Sequence, residues 1–256
     1  MSAATIRVAR LSVAPVKALG VLHPDRIRLD VDGVAEDRRV FLLDARGAVV
    51  TLRRFPRLGG VRPALDLPGA HLAVTLPDGT AVAQDLAPSG PEVRASLFGK
   101  ERGGRLVPGA VGEALSALVG EPLRLVLAER PGVGWDEGPV SLVGSASVAA
   151  VGTPADTADR YRMLIELETA EPFVEDGWVG SPVRVGAAVV AVTHALERCV
   201  VVNRDPRSGR GDWPGLRTLA ERRGRDALTL GVIATVLAPG PVRVGDAVEP
   251  PRGRTG

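Results

Sequence analysis

The chain has 256 residues, 45% of them hydrophobic but only 3% aromatic, so its interior must be assembled mainly from Val, Leu, Ala and Ile. Basic residues number 32 against 30 acidic ones, with the two signs interspersed and no basic stripe, which argues against a nucleic-acid binder. One cysteine rules out an internal disulfide and any multi-cysteine zinc site.

The length suits one large β-rich unit or two small ones. The 31 glycines and 21 prolines fall between short apolar runs, the pattern of many strands and turns. No signal-peptide core or membrane-spanning run is read in Met1–Gly20, and a cytoplasmic protein is expected. Alternation predicts strands over Thr5–Val16 and Ile27–Val31. Val40–Leu43 and Val49–Leu52 flank the turn Asp44-Ala45-Arg46-Gly47, and Leu72–Leu76 and Thr80–Gln84 flank Pro77-Asp78-Gly79. Helical spacing of Val111, Leu115 and Leu118 ends at Gly120, a capping glycine, and Leu123–Leu127 follows as a strand. A loop around Trp135 and Asp136 marks a junction. Beyond it a helix is expected over Ser145–Val151 and strands over Arg160–Glu168, Val183–Val192 and Cys199–Asn203. Leu216–Arg223 reads as a helix, then Thr229–Leu237 and Val242–Val248 as strands. The expected fold is mostly β with a few helices: an N-terminal β unit over 1–100, a linking helix and strand over 101–134, and a β-barrel unit over 135–250.

Nucleotide-binding glycine motifs, a G-x-S-x-G elbow and paired metal-ligating histidines are all missing from the sequence. The candidate reactive group is Cys199. A lone cysteine beside a valine run is commonly a small core hydrophobe. Against that, Arg198 precedes it, and a cationic neighbour favours the thiolate, the form that attacks electrophiles and binds soft metals.

Arg198-Cys199 with Asp205-Pro206 and Gly209 resembles the cysteine motif of MOSC domains, the C-terminal domain type of molybdenum-cofactor sulfurases. So do Glu175-Asp176-Gly177-Trp178-Val179-Gly180, Arg184-Val185-Gly186, and Gly240 through Asp246. Ala14-Pro15-Val16-Lys17, Gly33 with Asp37-Arg38, and Thr51-Leu52-Arg53 resemble the N-terminal β domain that accompanies MOSC domains, as in the mitochondrial amidoxime-reducing component and its bacterial relatives. The resemblance implies a molybdenum-pterin cofactor between two domains. It implies Cys199 as the metal ligand and Lys17, Arg38, Arg162 and Arg198 as cofactor contacts. Gly144-Ser145-Ala146-Ser147 is similar to a serine turn near the pterin, although Ser145 and Ser147 are also helix-capping types. Asp205, and with it Asp212, are candidates for substrate or metal-water contacts; a turn role explains them equally. Asp176 and Trp178 read as structural. The sequence departs from the family at Ala18, at Met163-Leu164 and at Val202-Asn203.

The function this implies is a molybdenum-dependent oxidoreductase reducing N-hydroxylated or related N–O and S–O substrates. Its electrons would come from a separate donor protein, since the chain has no flavin, haem or iron–sulfur motif. A sulfur carrier or cofactor-handling protein with a persulfide on Cys199 is the second reading. A binding-only adaptor with an inert thiol is the third. No membrane or nucleic-acid partner is expected.

Overall fold

The computed structural model describes residues 5–155, 158–224 and 228–251. The first strand, β1 (Arg7–Leu11), buries Val8 and Leu11 and then stops short of the predicted length. The cause is a change of sheet: Val13 bridges Leu22 and Val16 bridges Val40 in parallel, so the chain leaves one β unit and enters another within five residues. β2 (Arg26–Leu29) and β3 (Val40–Leu43) match the predicted runs. The Asp44 turn forms, its carboxylate accepting the Arg46 and Ala48 amides at 2.9 Å each, but residues 49–52 contribute only the Leu43–Val49 bridge.

Next come β4 (Arg62–Asp66), β5 (His71–Thr75), β6 (Ala81–Asp85), β7 (Glu92–Leu97) and β8 (Lys100–Leu106). β4, β7 and β8 were not predicted. The last two carry charged residues at many positions, and Gly104 admits the neighbouring strand so closely that an added Cβ would lie 2.4 Å from the Leu127 carbonyl. α1 (Ala110–Val119) ends at Gly120 in the left-handed conformation, as its glycine signals, and β9 (Arg124–Ala128) follows. β10 (Val140–Gly144), also unpredicted, leads into α2 (Ser145–Ala150). The strand read over Arg160–Glu168 reduces to β11 (Ile165–Glu168), preceded by a 3-10 turn over Ala158–Tyr161. β12 (Pro182–Val185) and β13 (Ala188–Glu197) follow. The predicted strand over Cys199–Asn203 is instead a 3-10 turn, Val200–Asn203. The β13–β14 pairing ends at Glu197 and Thr229, with the Arg198 amide on the Leu228 carbonyl at 2.8 Å, and among the described residues Cys199 has no strand partner. α3 (Gly215–Arg223), β14 (Thr229–Ala238), β15 (Gly240–Arg243) and β16 (Val248–Glu249) complete the fold, the last two split by a turn at Gly245.

Seven strands form one sheet in the order β1-β11-β10-β14-β13-β12-β16. The Val8 amide donates to the Asp246 carbonyl and the Val248 amide to the Ile6 carbonyl, both at 2.9 Å, drawing the two edges together into a nearly closed barrel. Its interior is aliphatic, with Leu11, Leu142, Ile165, Val183, Val190 and Val232 fully buried. The second unit pairs the sheet β3-β9-β8-β7 with the sheet β4-β5-β6 around Val16, Leu42, Leu58, Leu72 and Leu125, and α1 inserts Val111 and Leu115 there. The units of the fold therefore cross the units of the sequence. β1 and β2 come from the first thirty residues yet pack with the barrel built after residue 140, while β8, α1 and β9 belong to the N-terminal sheets and core.

The turn after Cys199 nests against the 3-10 turn Pro56–Gly60 of the other unit. A Cβ at Gly209 would lie 2.4 Å from the Pro56 carbonyl, and one at Gly60 would lie 1.9 Å from that of Arg207. Gly209 also has φ +70. Gly209→Ala should therefore combine a left-handed backbone penalty with a backbone collision and cost about 2–4 kcal/mol in urea unfolding. Gly79→Ala, with φ +89 but open space around it, should cost only about 1 kcal/mol. Equal costs for the two would show that the inter-unit contact is not tight.

Candidate functional site

Between the two units lies a cleft of about 370 Å³. Lys17 reaches it from the segment that crosses between sheets. The Lys17 amide donates to the Val40 carbonyl at 2.8 Å, and Ala18 follows at φ 70. The side chain is only 6% exposed, and Nζ donates to the Asp136 carboxylate at 2.6 Å and the Gly134 carbonyl at 3.1 Å. Arg38 sits at φ 51, its amide bound to the Ala14 carbonyl and its guanidinium paired with Asp37. Asp37 also accepts the Ala14 amide at 2.8 Å, locking the two segments together. Arg39 does not line the cleft, in keeping with the opposite faces of adjacent residues.

The barrel supplies the facing wall. Arg162, at φ 53 just before β11, donates Nη1 to the Leu19 carbonyl across the boundary at 2.7 Å and leaves Nη2 buried with no partner. Arg198 lies over the Tyr161 ring at 5.3 Å, donates Nη2 to the Tyr161 carbonyl at 2.5 Å, and leaves Nε unpaired. Cys199 is exposed, lies beyond the end of β13 and lines the same cleft, so the reading of it as a core hydrophobe is corrected. Arg160 is committed elsewhere, bridging Asp212 with both terminal nitrogens and holding the Val202 and Arg204 carbonyls.

Of the six non-glycine residues with positive φ among the described residues, four line this cleft: Ala18, Arg38, Phe98 and Arg162. Backbone strain is thus concentrated where the charged groups converge. Burial pushes Lys17 down to about 8, against the pull of Asp136 and with Arg38 and Arg162 adding to the push. Burial, and then Arg38, likewise lower Arg162 to about 10. Burial would lower Arg38 as well, but Asp37 and Asp136 outweigh it and raise the pKa. Asp136 is held low despite burial, by Lys17 and then Arg38. Asp37, Asp136, Glu137 and Glu197 line the cleft with Lys17, Arg38, Arg162 and Arg198, but Arg162 and Arg198 each keep a buried donor with no partner, an arrangement suited to an anion.

The other predicted site residues lie elsewhere. Ser145 accepts the Thr169 amide at 3.2 Å. Ser147, fully buried, accepts the Phe173 amide at 2.7 Å and donates to Glu175 at 3.0 Å. Neither serine lines the cleft. Asp205 borders a small adjoining pocket of about 20 Å³, where its carboxylate accepts the Arg207 and Ser208 amides and the Ser208 hydroxyl, closing a turn. Asp176 pairs with Arg223, and Trp178 is buried. Asp136, Trp135, Tyr161 and Phe98 line the cleft without having been singled out for it. Asp136 sits in a segment that reads only as loop, and nothing in the sequence ties it to Lys17. Among the described residues no cluster of three His, Cys, Asp or Glu side chains could hold a metal ion, so any metal here would arrive with a ligand of its own.

Two interlocked β units enclosing a cation-lined cleft, with one exposed thiol on its wall, define the class of protein. The family profile described as the MOSC N-terminal beta barrel domain matches residues 5–122, and the one described as the MOSC domain matches residues 131–249. The chain belongs to the MOSC family. Curated relatives include a protein named molybdenum cofactor sulfurase from Danio rerio, 25% identical over 87% of this chain and 31% of its own length. Another of the same name, from Oryza sativa subsp. japonica, is 23% identical over 89% of this chain and 32% of its own length. The chain spans about a third of the length of these relatives. Among solved structures, the YUAD protein from Bacillus subtilis is 15% identical with a TM-score of 0.44, covering 95% of this chain and 94% of that one. A Bordetella bronchiseptica protein is also 15% identical, with a TM-score of 0.31, covering 40% of this chain and 78% of that one.

Because Lys17 titrates at about 8 in the folded protein and at 10.5 when unperturbed, the unfolded chain binds more protons between those values, and this group's contribution to stability rises with pH across that window. Below it, the fold carries a buried ammonium at a cost. Lys17→Met, similar in length and uncharged, should therefore match or exceed wild-type stability by about 1–2 kcal/mol near pH 7 in urea unfolding, the difference shrinking towards about pH 10. A loss of stability near pH 7 would show that the ion pair with Asp136 is a structural requirement.

Proposed function

We propose that the cleft binds a molybdenum-pterin cofactor and that the protein is an oxidoreductase of the amidoxime-reducing type, acting on N-hydroxylated or related N–O and S–O substrates. The observation that supports this is the convergence, from two separate β units, of Lys17, Arg38, Arg162 and Arg198 on the cleft that exposes Cys199. The residues present fit such a group. Arg162 Nη2 and Arg198 Nε are buried donors without partners, as a phosphate-bearing ligand requires, and a thiol is the soft donor that molybdenum accepts.

Lys17 and Arg162 would neutralise the phosphate, the first as a compact charge and the second through its unpaired Nη2. Arg38, held by Asp37, would present a fixed guanidinium from the N-terminal unit. Cys199 would ligate the metal as a soft sulfur donor. When bound, the cofactor would supply two-electron oxygen-atom transfer at its metal. The chain holds the group in place and leaves the thiol side of the cleft open to substrate, while electrons come from a separate donor protein. The names of the curated relatives favour a second reading, a cofactor-handling role in which Cys199 carries a persulfide.

The test is metal, sulfane-sulfur and activity analysis of protein made in a cofactor-competent host. Wild type should retain molybdenum through dialysis and reduce N-hydroxylated substrates with an artificial reductant. Lys17→Ala and Arg162→Ala should each weaken cofactor retention by about 1.5–3 kcal/mol while remaining folded. Cys199→Ser should fold within about 1 kcal/mol of wild type, keep part of its pterin and lose much of its activity. Labile sulfur without metal in the wild type, abolished in Cys199→Ser, would replace the reductase with the carrier. Unchanged metal, activity and sulfur in the serine variant would overturn both.

A further inference from the structure

Phe98 occupies an unfavourable position on two counts. It forms, with Gly99, the two-residue turn between β7 and β8, where Leu97 pairs with Lys100. Both central residues have positive φ, 51 and 74, the geometry of a type I′ turn. Asn, Asp and Gly suit that first position; a phenylalanine there is strained. The ring is also 61% exposed in a chain with four phenylalanines, of which Phe41 and Phe55 are buried in cores. Neither the turn nor the packing of the fold calls for an aromatic residue here.

The turn is nonetheless fixed against the cleft. Lys100 Nζ donates to the Glu137 carbonyl at 3.3 Å, and the Glu137 carboxylate lies 3.1 Å from His194 on β13. Phe98 lines the cleft together with Pro139, Leu196 and Ile233, and Gly138 lies so close to Ile233 that an added Cβ would be 2.5 Å from its Cγ2. This wall is apolar, in contrast to the cations at Lys17, Arg38 and Arg162. The carboxylates Glu137 and Glu197 also line the cleft there and disfavour an anionic substituent, while the basic groups beside them, Lys100 and His194, are engaged by Glu137.

We propose that Phe98 is a specificity residue of the cleft, its exposed ring forming with Pro139 and Ile233 the apolar lip that receives a neutral or cationic aromatic substituent of the substrate. This rests on the proposed function for the chemistry of the substrate's polar end, and on the cleft alone for its apolar end. The aromatic ring of the ligand would meet the Phe98 ring edge-to-face or offset, the arrangements aromatic pairs favour.

The experiment compares benzamidoxime with acetamidoxime, which share a reacting group and differ in the substituent, by equilibrium binding to and turnover by the molybdenum-loaded protein. Wild type should prefer the aromatic compound by about tenfold in Kd and KM, the upper range for an aromatic pair. Phe98→Asn should lose that preference, its loss falling more on benzamidoxime than on acetamidoxime, and melt at or above the wild-type temperature because asparagine suits the turn. Phe98→Tyr should keep the preference. A wild type without the preference, or a Phe98→Asn variant that retains it, overturns the proposal. So does a Phe98→Asn variant that melts several degrees lower, which would mark the ring as structural. Phe98-dependent binding without turnover would support the lip while removing the reductase; turnover of both compounds with no preference would do the reverse.

Discussion

The carboxylate of Asp37 organises this molecule. It accepts the Ala14 amide and pairs with the Arg38 guanidinium, while the Arg38 amide binds the Ala14 carbonyl. These contacts fasten the crossing segment, in which the chain passes from the barrel to the N-terminal sheets, against the approach to β3. Lys17 lies three residues along that segment, so its burial and its reach to Asp136 follow from the clamp. Replacing Asp37 with an apolar residue would leave an amide and a guanidinium unpaired in a largely buried place, which is costlier than the mean value of a hydrogen bond.

The cleft is a site where several local preferences are overridden at once. Lys17, Arg38, Arg162 and Arg198 share it with several carboxylates, and Ala18, Arg38 and Arg162 hold backbone angles that glycine would adopt more readily. A stability-optimised cleft would replace these charges with aliphatic side chains, as the rest of both cores does. Their retention puts the cost in one place, where an anion would relieve it. Arg160 shows the contrast: equally buried, it is matched by Asp212 and by carbonyls, and it serves the packing of the Val200–Asn203 turn.

Much of this was legible in the sequence. Val40–Leu43, α1 with its glycine cap, α2 and β14 follow from periodicity and capping residues, and the order of short motifs along the chain identifies the family. Those motifs place Lys17, Arg38, Arg162, Arg198 and Cys199 together, and they share one cleft. What the sequence concealed was tertiary. β7 and β8 carry charges on their open face and glycines where β9 approaches, so their alternation is weak. Cys199–Asn203 has the composition of a strand, but Val200–Asn203 is a 3-10 turn with no strand partner among the described residues. Ser145 and Ser147 look like ligand contacts until the Thr169 and Phe173 amides and Glu175 are seen to occupy them. Asp136 gains its importance only from the 119-residue separation that the fold closes to bring it onto Lys17.

The placement of β1 bears on how the polypeptide reaches this state during synthesis. Its partners are β11 and, at the other edge, the segment around Asp246, so β1 has to wait for more than 150 further residues before its ladder can form. At roughly 5–20 residues per second on the ribosome, that is an interval of about ten to thirty seconds. During it the apolar side chains of Val8 and Leu11 lack the cover that β11 and the rest of the barrel give them, and the N-terminal sheets can assemble first around the crossing segment. Closing the barrel thus depends on contacts of high sequence separation, the kind that slows folding.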